Sequence, residues 1–245
     1  MPLVATLRRW PGGVEQHLRP ISAHAEPGRV ARCVGDETVL PNGQSVRDGA
    51  NGVTRLLAPQ GMRTEEFLLR PIVASDAALD YEAVMESRDF LRGWEQTGWP
   101  ENDFTIEANR ADLTRMEQRH DKAESFTYTV MKATETQCLG CVYVFPSDAR
   151  LFTEAQVVAV NDDKWSDFEA VIYFWIRTSR IADALDRRLL DTLGRWIQHN
   201  WCLERYLLVS SEQCDQQVAL IQSTDRRLRF ELNYPDKTGK ELAYA

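Results

Sequence analysis

Arg177, Arg180, Arg187 and Arg188 cluster around Thr178 and Ser179, where an apolar run gives way to a helical repeat. Guanidinium forks bind phosphate oxygens in pairs, and the unpaired N–H groups of a helix N-terminus add donors and a favourable dipole. The chemistry this stretch could do is anion binding, of a phosphate or pyrophosphate. Asp183 and Asp186 in the same stretch suit a helix N-terminus but repel such a ligand.

Other phosphate and nucleophile motifs are excluded. Beyond residue 61 only Gly93, Gly98, Gly140, Gly194 and Gly239 remain, too sparse for a P-loop or a dinucleotide fingerprint, and no Gly-x-Ser-x-Gly elbow is present. Cys138-Leu139-Gly140-Cys141 has the spacing of a metal or redox pair. Zinc would need two further ligands, yet Cys202 and Cys214 are widely spaced with only His199 nearby. A redox pair favours a helix N-terminus, whereas this one opens a strand. The two read as ordinary strand cysteines, no metal is expected, and His120, on a charged helix end, reads as a surface residue.

The elements that must position the arginines follow from periodicity. Ala170–Arg177 is β-branched and aromatic, and both alternating sets are apolar, which predicts a strand buried on both faces. Thr178 and Ser179 offer N-cap oxygens to a helix carrying Leu185, Leu189, Leu193, Trp196 and Ile197 on one face. Upstream, Phe67–Ile72 reads as a strand, Asp76–Phe90 as a helix capped by Ser75, Gly93–Pro100 as a loop and Thr105–Lys122 as a second helix. Phe126–Ala133 and Cys138–Phe145 form a hairpin pattern, and Val157–Val160 a short strand. Downstream come a strand at Arg205–Val209, a helix over Asp215–Ser223, a strand at Leu228–Leu232 and a polar, frayed tail from Asn233. The result is a mixed, mostly antiparallel central sheet flanked by helices, with a parallel crossover between Glu169–Arg177 and Arg205–Val209.

Residues 1–61 differ from the rest. They hold eight of the 13 Gly and six of the 10 Pro, and sustain no period beyond a short hairpin within Arg29–Leu40. They read as a disordered or loosely packed extension before a domain at 62–245, with Met62 an alternative start. They carry net +2 of a chain total of −8, so the domain is strongly acidic. That argues against nucleic acid and is compatible with amine-bearing partners. No secretory h-region follows Arg8 and Arg9, and no run approaches the ~18 apolar residues of a membrane span, so a cytoplasmic, reduced protein is expected.

Phe67-Leu68-Leu69-Arg70-Pro71, Phe126–Met131, Leu139–Pro146 and Tyr173-Phe174-Trp175-Ile176-Arg177 ahead of Leu189-Leu190 resemble the GCN5-related N-acetyltransferase family, and more narrowly a bacterial branch of it. The resemblance spans about Glu65–Leu232. It implies a GNAT-like acyl-CoA acyltransferase fold with acetyl-CoA as co-substrate, bound at the end of the fourth strand with its pyrophosphate on the next helix N-terminus. By position, Trp175, Ile176, Arg177, Arg180, Ala184 and Asp215 would bind the cofactor, with the oxyanion met by a backbone N–H near Trp175 or Ile176. The family's pyrophosphate loop carries glycines where Ala184 and Asp186 stand here, and its C-terminal tyrosine position holds Gln222.

Transfer from a thioester to an amine needs positioning and removal of a proton from an amine of pKa ~10. Glu169 is the candidate base, ahead of Asp167 and Asp162, and Trp94 and Trp99 are candidate walls of an acceptor pocket. The expected partners are acetyl-CoA and a small amine or an N-terminal amine. A homodimer is left open. The alternative is a catalytically silent member that binds acyl-CoA or a protein partner, favoured by the missing glycines and tyrosine.

Overall fold

A computed structural model describes Leu56, residues 58–201 and residues 203–245, together with the backbone of three short antiparallel strands, β1 (Arg32–Val34), β2 (Glu37–Val39) and β3 (Ser45–Val46). β1 and β2 form the hairpin expected within Arg29–Leu40, pairing Arg32 with Val39. The rest of the reading of residues 1–61 as an extension lies outside the described residues, save at its end. There Leu56 is buried among the core residues, and Pro59 O accepts the Tyr128 hydroxyl (2.7 Å). Ordered packing therefore begins ahead of Met62.

Nine strands form one open sheet: β4 (Met62–Arg63), β5 (Phe67–Pro71), β6 (Phe126–Lys132), β7 (Cys138–Pro146), β8 (Gln156–Ala159), β9 (Ala170–Ile176), β10 (Tyr206–Ser211), β11 (Leu228–Asn233) and β12 (Glu241–Tyr244). Their spatial order is β4-β5-β6-β7-β9-β10-β12-β11-β8, and the single parallel pair is β9 with β10. Every residue of β7 and β9 is buried, as two-faced strands require. Val171, Tyr173 and Trp175 pack on one side with α1 (Ala77–Glu86), α2 (Arg88–Glu95) and α3 (Ile106–Asp121). Ala170, Ile172, Phe174 and Ile176 pack on the other with α4 (Leu185–Trp196) and α5 (Asp215–Gln222). Each such side chain stabilises the fold by about 1.5–3 kcal/mol, so a one-residue slip of β9, which would exchange the two sets, is strongly opposed.

Gly140 lets β7 lie against β9. Its φ is +150°, and a Cβ there would stand 2.0 Å from Trp175 O. The β6–β7 register shifts at the neighbouring Val130/Met131 step, so Cys138 and Cys141 both face the α1–α3 layer. They are buried thiols within 3.7 and 3.6 Å of Asp80 Oδ1, which fits their expected role as strand cysteines.

Four sequence expectations are corrected. The helix expected over 76–90 is two, broken at Ser87, whose hydroxyl accepts from Thr178 N–H (3.1 Å); Ser75 caps neither, since it lies inside a 3₁₀ turn, Ala74–Asp76. By contrast Thr105 does cap α3, accepting from Ala108 N–H (3.1 Å). The tail from Asn233 is not frayed: β12 inserts between β10 and β11 and completes the sheet. His120 is half-buried rather than on the surface, edge-on to Phe126 and Tyr128. Finally, α4 begins at Leu185, after a 3₁₀ turn at Thr178–Arg180, so Thr178 and Ser179 do not cap it.

Candidate active site

β9 and β10 pair only at Ala170–Ile172 with Tyr206–Leu208 and then part. Arg177 N–H donates to Leu139 O on β7 (2.7 Å), so the main chain of Arg177 and, two residues back, of Trp175 faces β7. Phe174 and Ile176 therefore turn their backbone N–H and C=O groups into the gap. Phe174, Ile176, Ile181, Asp186, Gln217 and Leu220 line a narrow cleft beside it. Gln217, buried on α5, bridges the gap: its Nε2 donates to Phe174 O (2.8 Å) and its Oε1 accepts from Ser210 Oγ (2.9 Å).

The chain between β9 and α4 ends in a left-handed residue. Ala184 has φ +54°, a conformation that glycine adopts without strain and alanine at a cost of about 1–2 kcal/mol. The backbone thus bends as a glycine loop would, although the residue is alanine. Among the described residues, no backbone carbonyl takes the amides of Ala182 or Asp183, and Leu185 and Asp186 open the helix, where intrahelical acceptors are lacking. Arg187 N–H is taken by Asp186 Oδ1 (2.8 Å).

Most of the arginines around this turn are already held by carboxylates. Arg177 is buried and its Nε pairs with Glu86 Oε2 (2.5 Å), on the layer away from the cleft. Glu86 Oε1 also accepts from Ser179 N–H (3.3 Å). Partial burial works against the charge of Glu86, but the hydrogen bonds from Ser179 and Arg177 outweigh it and hold the carboxyl below its ordinary range. Arg180 pairs with Asp183 (3.0 Å), and Arg188 grips both oxygens of Glu66 (2.7 and 2.8 Å). That grip lowers the Glu66 pKa. Arg187 reaches Ser223 Oγ (2.6 Å) and, among the described residues, no carboxylate.

Over most of its length the chain superposes on known structures. A ribosomal-protein-S5-alanine acetyltransferase from Vibrio fischeri superposes with a TM-score of 0.55 at 15% identity, covering 75% of this chain and 94% of the other. RimL, a ribosomal L7/L12 α-N-protein acetyltransferase solved with coenzyme A, gives 0.54 at 13%, covering 74% and 93%. The microcin self-immunity acetyltransferase MccE, solved with acetyl-CoA and AMP, gives 0.56 at 12%, covering 77% and 96%. The fold is that of the GCN5-related N-acetyltransferases. No family model matches the sequence, and no curated protein matches it. The family resemblance in the sequence is thus supported through shape.

Within the acetyltransferase fold the named residues divide. Ile176 offers its main chain to the gap and Ala184 shapes the turn. Trp175 does not face the gap: its backbone faces β7 and its indole Nε1 donates to Tyr143 OH (3.2 Å) on the other layer. Arg177 is committed to Glu86. Asp215 is exposed at the start of α5, and Gln217, two residues on, enters the gap instead. Glu169 is not brought to the site. It precedes β9 at the far end, about 23 Å of extended strand from Ile176, and its Oε2 accepts from the N–H groups of Glu204 (2.7 Å) and Arg205 (3.0 Å). It fixes the start of β10. Trp94 is buried edge-on to Tyr173 (6.2 Å) and tilted against Tyr143 (5.9 Å), while Trp99 packs on Phe104 (5.7 Å) and lines an internal cavity with Asp80, Cys141 and Trp175.

Sequence reasoning missed a buried polar cluster on the α1–α3 face of the same gap. Tyr173 OH donates to Glu241 Oε2 (2.7 Å), and the other carboxylate oxygen pairs with Lys237 Nζ, both side chains only 2% exposed. Lys237 also stands 5.0 Å from the Tyr234 ring. Burial, then the neighbouring Glu241 charge, pushes the Tyr173 phenol far above its ordinary pKa. Glu95 is fully buried on α2, where its charge acts on Tyr143. The signal available beforehand was the apolar alternation of Leu242 and Tyr244 around Ala243, too short to stand out. Among the described residues, no helix is long and apolar enough to cross a membrane and no cluster of His, Cys, Asp or Glu is placed to hold a metal.

Proposed function

We propose that this chain is an acetyl-CoA-dependent N-acetyltransferase, passing an acetyl group to a primary amine of a small molecule or peptide by direct attack. The observation that supports it best is the parting of β9 and β10 after Ile172 and Leu208. An extended thiol arm bearing amides can pair with the open main chain of Phe174 and Ile176 as a strand would. Its pyrophosphate can then take the amides of Ala182, Asp183, Leu185 and Asp186, together with Arg187, the arginine of this turn not held by a carboxylate. In the transfer the amine nitrogen bonds to the thioester carbonyl, the C–S bond breaks and the thiolate takes up a proton. Ile176 N–H is the donor proposed for the oxyanion. The solved relatives named for ribosomal-protein alanine and α-N-protein acetylation favour a chain N-terminus as acceptor, with Trp94 and Trp99 as its apolar walls. A two-part chain, residues 1–61 appended to a catalytic domain at 62–245, working in the cytoplasm, completes the proposal.

One observation favours a silent acyl-CoA or partner-binding protein instead: internal groups already satisfy donors and acceptors a ligand would use. Glu86 sits on Ser179 N–H and Gln217 on Phe174 O. Thermal unfolding with CoA and with acetyl-CoA separates the outcomes. A ligand at one hundred times its Kd adds about 2.7 kcal/mol and raises the midpoint by several degrees. No rise with a millimolar excess of either ligand rejects both proposals of CoA binding. A rise without thiol release across a panel of amines and Ala- or Ser-initiated peptides leaves the silent form.

A further inference from the structure

We propose that Glu241 is the carboxylate that takes the proton of the acceptor amine, held in place for that task by Tyr173 and Lys237. The inference rests on the acetyltransferase reading and assigns the base that Glu169 does not supply. Three observations carry it.

The first is position. β12 pairs with β10 so that Glu241 stands opposite Ser211, the last residue of β10, on the side away from β9. Its side chain nonetheless reaches Tyr173 OH on β9. The carboxylate therefore lies across the sheet face at the level where β9 and β10 have parted, since Tyr173 is the first β9 residue beyond the last paired one, Ile172. With a thioester arm along Phe174 and Ile176, an amine that reaches it from the α1–α3 side meets this carboxylate.

The second is the cost of the arrangement. Two charges taken fully out of water are seldom a net gain for folding, and an apolar pair of similar volume does as well or better. A buried, hydrogen-bonded carboxylate–ammonium–phenol group beside the point where two strands part is the kind of cluster that marks a proton-handling site. The charged or titratable groups around it are Lys237 on its own loop, Tyr173 on β9, Tyr234 at the end of β11, and Glu154, whose charge acts on Tyr234.

The third is access. The cluster is roofed by the loop after α2 and the loop between β11 and β12, joined by side-chain bonds and not by a sheet ladder. Gln96 Nε2 donates to Lys240 O (3.1 Å), and Gln213 Nε2, after β10, to Thr238 Oγ1 (2.8 Å). Beneath this roof the indole Nε1 of Trp94, itself 4% exposed, has no partner among the described residues. Separation of the two loops opens a way in without unpairing a strand.

The step balances as follows. The acceptor ammonium gives one proton to the Glu241 carboxylate, which passes it to solvent, and the free amine attacks the thioester carbon. As the C–S bond breaks, the nitrogen gives up its second proton, which is delivered to the departing thiolate, leaving a neutral amide and a thiol. Tyr173 and Lys237 act through Glu241 as positioning residues.

The test uses the full chain, acetyl-CoA and the fastest acceptor found in the amine and peptide panel. We expect Glu241→Gln to keep the wild-type affinity for CoA by calorimetry while kcat falls 10²- to 10³-fold, the range of a lost general base. The remaining rate should climb tenfold per pH unit towards the pKa of the acceptor amine, about 8 for a peptide N-terminus and about 10 for an alkylamine, as the amine deprotonates without help. Glu241→Asp should restore part of kcat. Tyr173→Phe should lower kcat about tenfold at unchanged CoA affinity. A Glu241→Gln enzyme that binds CoA and turns over within threefold of wild type at every pH overturns the assignment and leaves the acetyltransferase reading standing. A wild type that neither binds CoA nor acetylates overturns both. Should Glu241→Gln unfold, Lys237→Met with Glu241→Gln removes the unpaired charge, and wild-type pH dependence in that folded double variant also overturns the assignment.

Discussion

The two faces of the β9–β10 gap are built on opposite plans. On the α4–α5 face the charges are at the surface and paired with one another: Arg180 with Asp183, Arg188 with Glu66. On the α1–α3 face the ionisable groups are inside: Asp80 between two thiols, Glu241 between a phenol and an ammonium, Glu95 fully buried. The first face can exchange an internal carboxylate for a ligand phosphate at small cost, because exposed pairs contribute little. The second cannot rearrange without exposing or stranding a charge. The face proposed to bind and release a highly charged cofactor is thus soft, and the one proposed to hold proton-transfer geometry is rigid.

The sharpest way to break the comparison is to damage what both faces share. Gly140→Ala places a methyl group 2.0 Å from Trp175 O at a φ of +150°, so β7 or β9 must move. We expect a loss of about 4 kcal/mol from overpacking and backbone strain together, read as a fall in the denaturation midpoint. If the loss is under ~1 kcal/mol, the close approach of β7 to β9 is not what fixes the two faces.

A smaller effect tests the inner face alone. Burial raises the Asp80 pKa, and the hydrogen bonds from Asn109 and the two thiols only partly offset it. The folded chain therefore holds this proton more tightly than the unfolded one. The associated stability is complete below the unfolded carboxyl pKa of about 3.9 and is lost as pH rises through the higher folded value. Stability of the wild type relative to Asp80→Asn should fall as pH rises above about 4, measured by urea unfolding at several pH values. A difference that stays flat with pH would mean that Asp80 is charged and paired throughout.

The smallest effect belongs to the outer face. Ala184→Gly removes the strain of a left-handed alanine but adds freedom to the unfolded chain, leaving a gain of about 0.5 kcal/mol. If the turn is the pyrophosphate cradle, affinity for CoA should hold or improve modestly. A clear loss of affinity would place the phosphates elsewhere.

The outer face was the more legible in sequence, because its signals are local. Arg180, Ala184 and the apolar stripe of α4 stand within a few residues of one another, and β9 declares itself by composition. The break at Ser87 was not legible: its hydroxyl answers Thr178 N–H, 91 residues away. β12 was invisible because four residues after a polar stretch carry no period, and only pairing with Leu208–Ser211 makes them a strand. Glu241 therefore read as part of a solvated tail. Glu169 misled for a related reason: the end of a strand at which a carboxylate sits depends on strand direction in the sheet. Composition gives the strand, not which of its ends meets the gap.

The sheet order also sets a timetable. β8 is made before β9 but has β11 as its partner, and β12 must slot between β11 and β10. At a synthesis rate of about 10 residues per second, roughly seven seconds separate the emergence of Ala159 from that of Leu228. During that time Gln156–Ala159 and the adjoining Val160 wait beside a growing sheet with no strand to join, and Val158 and Val160 stay 41% and 53% exposed even in the finished fold. The half-sheet from β4 to β10 can close early, whereas the β8–β11–β12 half, which delivers Glu241, can only close late. Nascent chains caught between those two moments would carry the open edge of β9 without the carboxylate proposed to act beside it.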